Sequence, residues 1–90
     1  MRRGKPDANQ REIQRALEQR GACVVSLAGV GDGCPDLVVG FGNRNYLLEC
    51  KNPDGRGLKL TAAQENFHAE WRGQLAIVSD VAGAIAVVFG

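Results

Sequence analysis

Glu49 interrupts the apolar run Tyr46-Leu47-Leu48, and Lys51 follows two positions later. Side chains on a β-strand alternate faces, so Glu49 and Lys51 project together while Leu48 and Cys50 project the other way. A carboxylate and an ammonium on a central strand are costly to desolvate unless something compensates them. A bound cation and a substrate phosphate would compensate; an edge strand with a wet second face, carrying an ordinary ion pair, is the structural alternative. Asp36 supplies a second carboxylate, directly after a Gly-rich stretch and Pro35. Two oxygen ligands converging from neighbouring strands suit a hard divalent cation such as Mg²⁺, whose remaining positions are filled by water and phosphate oxygens.

The elements that must position these groups follow from punctuation and periodicity. Ile13, Ala16 and Leu17 predict an amphipathic helix from about Asp7 to Arg20, stopped by Gly21. Ala22 to Leu27 reads as a short strand, and Ala28 to Pro35, with three glycines and a proline, as a loop. Asp36–Phe41 and Tyr46–Lys51 form a hairpin about a turn at Gly42-Asn43-Arg44-Asn45. With that turn, residues whose numbers sum to about 86 lie opposite, so Asp36 faces a position near Cys50, and a one-residue shift sets it beside Glu49 or Lys51. Asn52 to Gly57 is turn chemistry. Thr61 opens a helix to about Arg72 with Phe67 and Trp71 on its apolar, core-facing side, Leu75–Val78 is a fourth strand, and Asp80–Val88 closes the chain as a short helix or a fifth strand. The order α, three β, α, β implies an α/β fold with one sheet between helices.

Composition limits the rest. Ninety residues allow one domain, taken as 1–90, and 44% apolar with 23% charged residues is globular. The longest uncharged runs, Gly21 to Gly31 and Val81 to Gly90, are far short of the roughly 20 residues that cross a bilayer, and no basic-then-apolar leader is evident, so neither a membrane nor a secreted location is expected. Cys23, Cys34 and Cys50 are odd in number and lack CxxC spacing, which fits a reducing cytoplasm better than a disulfide framework or a zinc site. A chain of this size buries only about two-thirds of its unfolded surface, which favours self-association. Residues 1–20 carry six Arg or Lys against three Asp or Glu, whereas residues 21–90 carry five against seven. The basic first helix is either a phosphate-facing surface, with Arg11 and Arg15 outermost, or a solvated face.

Gly33-Cys34-Pro35-Asp36-Leu37, then Glu49-Cys50-Lys51, then Leu60-Thr61-Ala62-Ala63-Gln64 resembles the Asp…Glu-x-Lys signature of the PD-(D/E)xK nucleases. In order and spacing it is most similar to the virus-type replication-repair nuclease (VRR-NUC) domain, over nearly the whole chain. The resemblance implies a restriction-endonuclease-like core, αβββαβ with a short C-terminal helix and a mixed central sheet flanked by helices. It further implies that Asp36, Glu49 and the backbone carbonyl of Cys50 hold Mg²⁺ or Mn²⁺. Lys51 then orients water or neutralises phosphate charge, and Gln64 joins the active site. Gln64 also completes a Thr61-x-x-Gln64 capping box, and the two roles are compatible. Glu12, about a quarter-turn from the centre of the first helix's apolar face, is the candidate extra metal ligand, ahead of Asn9 and Gln10. His68, the sole histidine, reads as a core-edge imidazole, with a general base as the alternative.

Arg56 and Lys59, beyond the Glu-x-Lys strand, are candidate phosphate contacts alongside Arg11 and Arg15. The expected activity is metal-dependent DNA phosphodiester hydrolysis, most specifically resolution of four-way (Holliday) junctions by a homodimer, whose two sites suit two coordinated cuts. The resemblance also points to a phage or prophage source, a host-cytoplasmic location and a place in DNA repair. A non-catalytic DNA-binding module on the same fold, or a nuclease for flaps or nicks, are the alternatives.

Overall fold

The computed structural model describes residues 8–52 and 59–90. Its elements run α1 (Ala8–Gln19), β1 (Cys23–Ser26), β2 (Leu37–Phe41), β3 (Arg44–Cys50), α2 (Ala62–Glu70), β4 (Gln74–Val78) and α3 (Val81–Phe89). The sheet order is β1-β2-β3-β4, antiparallel between the first two pairs and parallel between β3 and β4. The strand bearing Glu49 is therefore central, and the edge-strand alternative falls away.

The β2–β3 turn is tighter than the four residues expected. Gly42 and Asn43 alone form the loop, both left-handed at φ 62° and 63°, as a twisted two-residue hairpin turn demands. β3 accordingly starts at Arg44, and the register pairs Leu37 with Leu48. This is one residue off the expected alignment. It brings Asp36, the next residue outward, level with Glu49.

One face of the sheet carries the core. Val24, Leu37, Val39, Tyr46, Leu48, Cys50 and Val78 pack there against Ile13 and Leu17 of α1 and Ala84 and Val88 of α3. Side chains of Asp36, Leu47, Glu49 and Ile77 belong to the opposite face, which α2 covers only in part. α2 buries none of its residues. Phe67 and Trp71 stack on each other, with ring centroids 5.4 Å apart, yet Trp71 stays 44% exposed, so these rings are not core as expected. The final segment is a helix rather than a fifth strand. Asp80 caps it by accepting a hydrogen bond from the Gly83 N–H at 2.8 Å, and the cap outweighs the strand preference of the β-branched residues that follow.

Candidate active site

Asp36 stands where the regular ladder ends. Its N–H donates to the Leu48 carbonyl on β3 (3.0 Å), while its own carbonyl accepts from Leu27 N–H on the β1 side (2.8 Å). A regular antiparallel residue directs both groups to one neighbour. The chain thus straddles two strands here, and the Asp36 side chain replaces a missing backbone partner: Oδ2 accepts from the Cys50 N–H at 2.7 Å. A charge-assisted bond of this kind fixes the carboxylate beside Glu49. Upstream, Gly33 adopts φ +79° and sits so close to α2 that a Cβ there would overlap the Ala63 carbonyl.

Glu49 is 2% exposed, a carboxylate buried on the thinly covered face. Its Oε2 accepts from Gln64 Nε2 at 3.2 Å and lies 4.0 Å from Lys51 Nζ. Burial, then the charge of Asp36 and a hydrogen bond between the two carboxyls, push Glu49 up to about 8, with Lys51 pulling the other way. The Lys51 ammonium donates to Gln64 Oε1 at 2.9 Å. Both amide atoms of Gln64 are thus engaged with the Glu-x-Lys pair.

The first turn of α2 explains how Gln64 reaches both. Thr61 Oγ1 accepts from the Gln64 N–H (3.2 Å), and Gln64 Oε1 accepts in return from the Thr61 N–H (2.9 Å), closing a capping box. One side chain thus both closes the capping box and contacts the Glu-x-Lys pair. Two substitutions separate them. Thr61→Ala and Gln64→Ala should each cost about 1 kcal/mol, or about 4–8 °C in Tm. Only Gln64→Ala should also depress DNA cleavage, because Thr61 does not touch Glu49 or Lys51. Thermal melts and cleavage rates on the same samples check this.

Other expected residues are placed differently. Glu12 is exposed on α1 and takes no part in the hydrogen bonds or ion pairs of the cluster. Its neighbour Asn9 reaches the sheet instead, donating through Nδ2 to the carbonyls of Lys51 (3.2 Å) and Ser79 (3.4 Å), and Gln10 is buried. Arg11 and Arg15 line a shallow depression on the outer face of α1 with Gln14 and Glu18. Lys59 is exposed, and Arg56 lies outside the described residues.

Two groups at the site carried no signal strong enough to single them out for it. Cys34 lies near both carboxylates: burial, then Glu49, then Asp36, push its thiol up, which disfavours the reactive thiolate. His68 Nε2 is 3.6 Å from Glu49 Oε1, and burial, then Lys51, hold the imidazole below its usual range. Its position four residues after Gln64, on the same helix face, was the only hint.

The donor set fits a divalent cation. Glu49 Oε1 is buried with no hydrogen-bond partner, and Asp36 lies alongside. Among the described residues no three His, Cys, Asp or Glu side chains are grouped to enclose an ion. Mg²⁺ asks for less, one or two carboxylates with water and phosphate completing the shell.

A mixed four-stranded sheet whose hairpin sets Asp36 beside a central Glu49-x-Lys51, with Gln64 supplied from the crossover helix, has the architecture of restriction-endonuclease-like nucleases. Residues 1–80 match the family model described as archaeal Holliday junction resolvase (Hjc), a PD-(D/E)xK-type nuclease family, and the chain belongs to that family. No curated protein and no solved structure matches it. The family match supports the wider superfamily expected from the motifs, and not the VRR-NUC division in particular.

Proposed function

We propose that this chain is a divalent-cation-dependent endonuclease that resolves four-way DNA junctions as a homodimer. The observation that carries the reading is the contact of Glu49, Lys51 and Gln64 beside an amide-anchored Asp36. Asp36 and Glu49 would hold Mg²⁺ or Mn²⁺, with the Cys50 carbonyl as the proposed third donor and Glu12 as a further candidate should DNA draw it in. When bound, the ion supplies Lewis acidity toward the phosphate and a more acidic water. Lys51, steadied by Gln64, presents a fixed ammonium to a phosphate oxygen or orients the attacking water. Gln64 keeps Glu49 in place, and the Cys50 amide does the same for Asp36.

Arg11, Arg15, Arg56 and Lys59 are proposed phosphate contacts, which position DNA without reading its sequence. Self-association is supported by the half-covered sheet face, where Val25 and Ile77 remain 52% and 45% exposed. The order of the three motifs supports a VRR-NUC-like subgroup, with a host-cytoplasmic, phage-encoded or repair setting as its natural context.

Labelled four-way junctions, flaps, nicked and plain duplexes, incubated with Mg²⁺ or Mn²⁺, test the reading. Junctions should be cut in preference to the others, and Asp36→Asn and Lys51→Ala should each lower the rate about 100-fold or more. Cleavage surviving both substitutions removes the catalytic assignment. Junction binding without cutting under either metal favours a non-catalytic module, and preferential cutting of flaps or nicks redirects the substrate. A monomeric mass at micromolar concentration counts against the dimer.

A further inference from the structure

Two buried polar atoms at the site have no hydrogen-bond partner, and they face each other at ion-pair distance. Glu49 Oε1 and His68 Nε2 are 3.6 Å apart, with side chains 2% and 16% exposed, and neither makes a hydrogen bond. The other carboxylate oxygen is already engaged by Gln64 and Lys51. Buried polar groups are satisfied as a rule, so one occupant shared by both atoms is the simplest account of the pair.

The spacing says what kind of occupant. A direct N–H···O bond is about 2.7–3.2 Å long, and two groups joined through a water are typically about 4.5 Å apart. Two donors each about 2.1 Å from one cation are about 3.0 Å apart at right angles and about 3.4 Å apart at the tetrahedral angle. The observed gap is too short for a bridging water and about half an ångström longer than the right-angle edge of an octahedral shell, so a shared ion would draw the two donors slightly together. Imidazole nitrogen is a good donor to first-row transition ions, whereas Mg²⁺ prefers an all-oxygen set.

Resting on the reading of a cation-dependent nuclease, we propose that His68 is a metal ligand through Nε2, beside Glu49 Oε1, and that it biases the site toward Mn²⁺ or Co²⁺ over Mg²⁺. The local fold prepares this. The Thr61–Gln64 capping box fixes the first turn of α2 against Glu49, and His68 follows one helical turn later on the same face. As placed, Glu49 and His68 are the two facing donors, short of a three-residue cluster, and water or phosphate oxygens complete the shell.

His68 is the only histidine in the chain, so any imidazole coupling to a bound ion identifies it. Mn²⁺ is titrated calorimetrically into the untagged, DNA-free full chain, and the loaded protein is read by electron spin echo envelope modulation. Wild type should show ¹⁴N coupling that changes on ¹⁵N-histidine labelling. In His68→Leu the coupling should vanish and Mn²⁺ binding weaken about tenfold or more, with Mg²⁺ binding changed less than about threefold. Mn²⁺ bound to wild type without nitrogen coupling overturns the role of His68 and leaves the nuclease reading standing. Failure of wild type to bind Mn²⁺ overturns both. Equal weakening of the two metals in His68→Leu overturns the bias. The wild-type spectrum needs no substitution, so a poorly folding variant does not decide the matter.

Discussion

Glu49→Gln should reduce junction cleavage by about 1,000-fold while making the ion-free protein more heat-stable at pH 8 than wild type. The two effects have one cause. Glu49 is buried beside Asp36, and its carboxyl titrates at about 8 in the folded chain against 4.5 as the ordinary value. Between those pH values the folded state holds a proton that the unfolded state has released. Unfolding free energy therefore falls as pH rises, from full strength below about 4.5 to complete loss above about 8. Glutamine keeps the shape and cannot ionise. Its Tm should match wild type near pH 4.5 and exceed it by on the order of 10 °C above pH 8. Saturating Mn²⁺ should close the gap by stabilising wild type alone, since the variant has lost a charged ligand. Scanning calorimetry across pH, with and without metal, checks the prediction. A gap independent of pH would mean that the carboxylate is already compensated without an ion.

Gly33→Ala carries the second large effect, and it acts at a distance in sequence. Gly33 has φ +79°, and a Cβ there would overlap the Ala63 carbonyl and lie 2.9 Å from the Gln64 nitrogen. A left-handed non-glycine residue alone costs about 1–2 kcal/mol. The obstruction is backbone at the first turn of α2, which cannot move aside without carrying Gln64 away from Glu49 and Lys51. A total of about 3 kcal/mol, or a Tm lower by about 10–20 °C, is expected. Cleavage should fall even well below the melting temperature. Gly31→Ala is the control: its φ of +80° is equally left-handed, but nothing lies within 4 Å of the added carbon. It should cost about 1–2 kcal/mol and leave cleavage unchanged at low temperature. Equal losses in the two variants would show that only backbone conformation matters at Gly33.

The sheet and the strand faces of the candidate residues were legible because short-range physics governs them. Strand alternation set Glu49 and Lys51 on one face and Leu48 and Cys50 on the other, and the structure keeps that division. The capping box at Thr61 and Gln64 was readable because its partners are three residues apart. Less local features were not. Trp71 reads as core on a helical wheel, yet α2 ends at Glu70, and as the extended C-cap Trp71 leaves the helix face and stays exposed. On α1, Glu12 is exposed in the structure, while Asn9 and Gln10 are the residues turned toward the sheet and interior, a matter of rotational phase that periodicity fixes only loosely. The closing segment was ambiguous because its β-branched residues and its Asp80 cap favour different structures, and only the cap geometry decides.

What the amino-acid sequence by itself determined was the inventory of charged groups, the strand face on which Glu49 and Lys51 stand, and the hairpin that returns toward Asp36. These follow from alternation, turn chemistry and helix capping, all acting within a few residues. Tertiary structure alone decided the one-residue register that sets Asp36 level with Glu49, the contact of Gly33 with α2, and the meeting of His68 with the free oxygen of Glu49. The physical reason is separation along the chain. Gly33 and Ala63 are thirty residues apart, and whether they touch depends on turn conformation, strand twist and packing together, none of which is written in either residue alone.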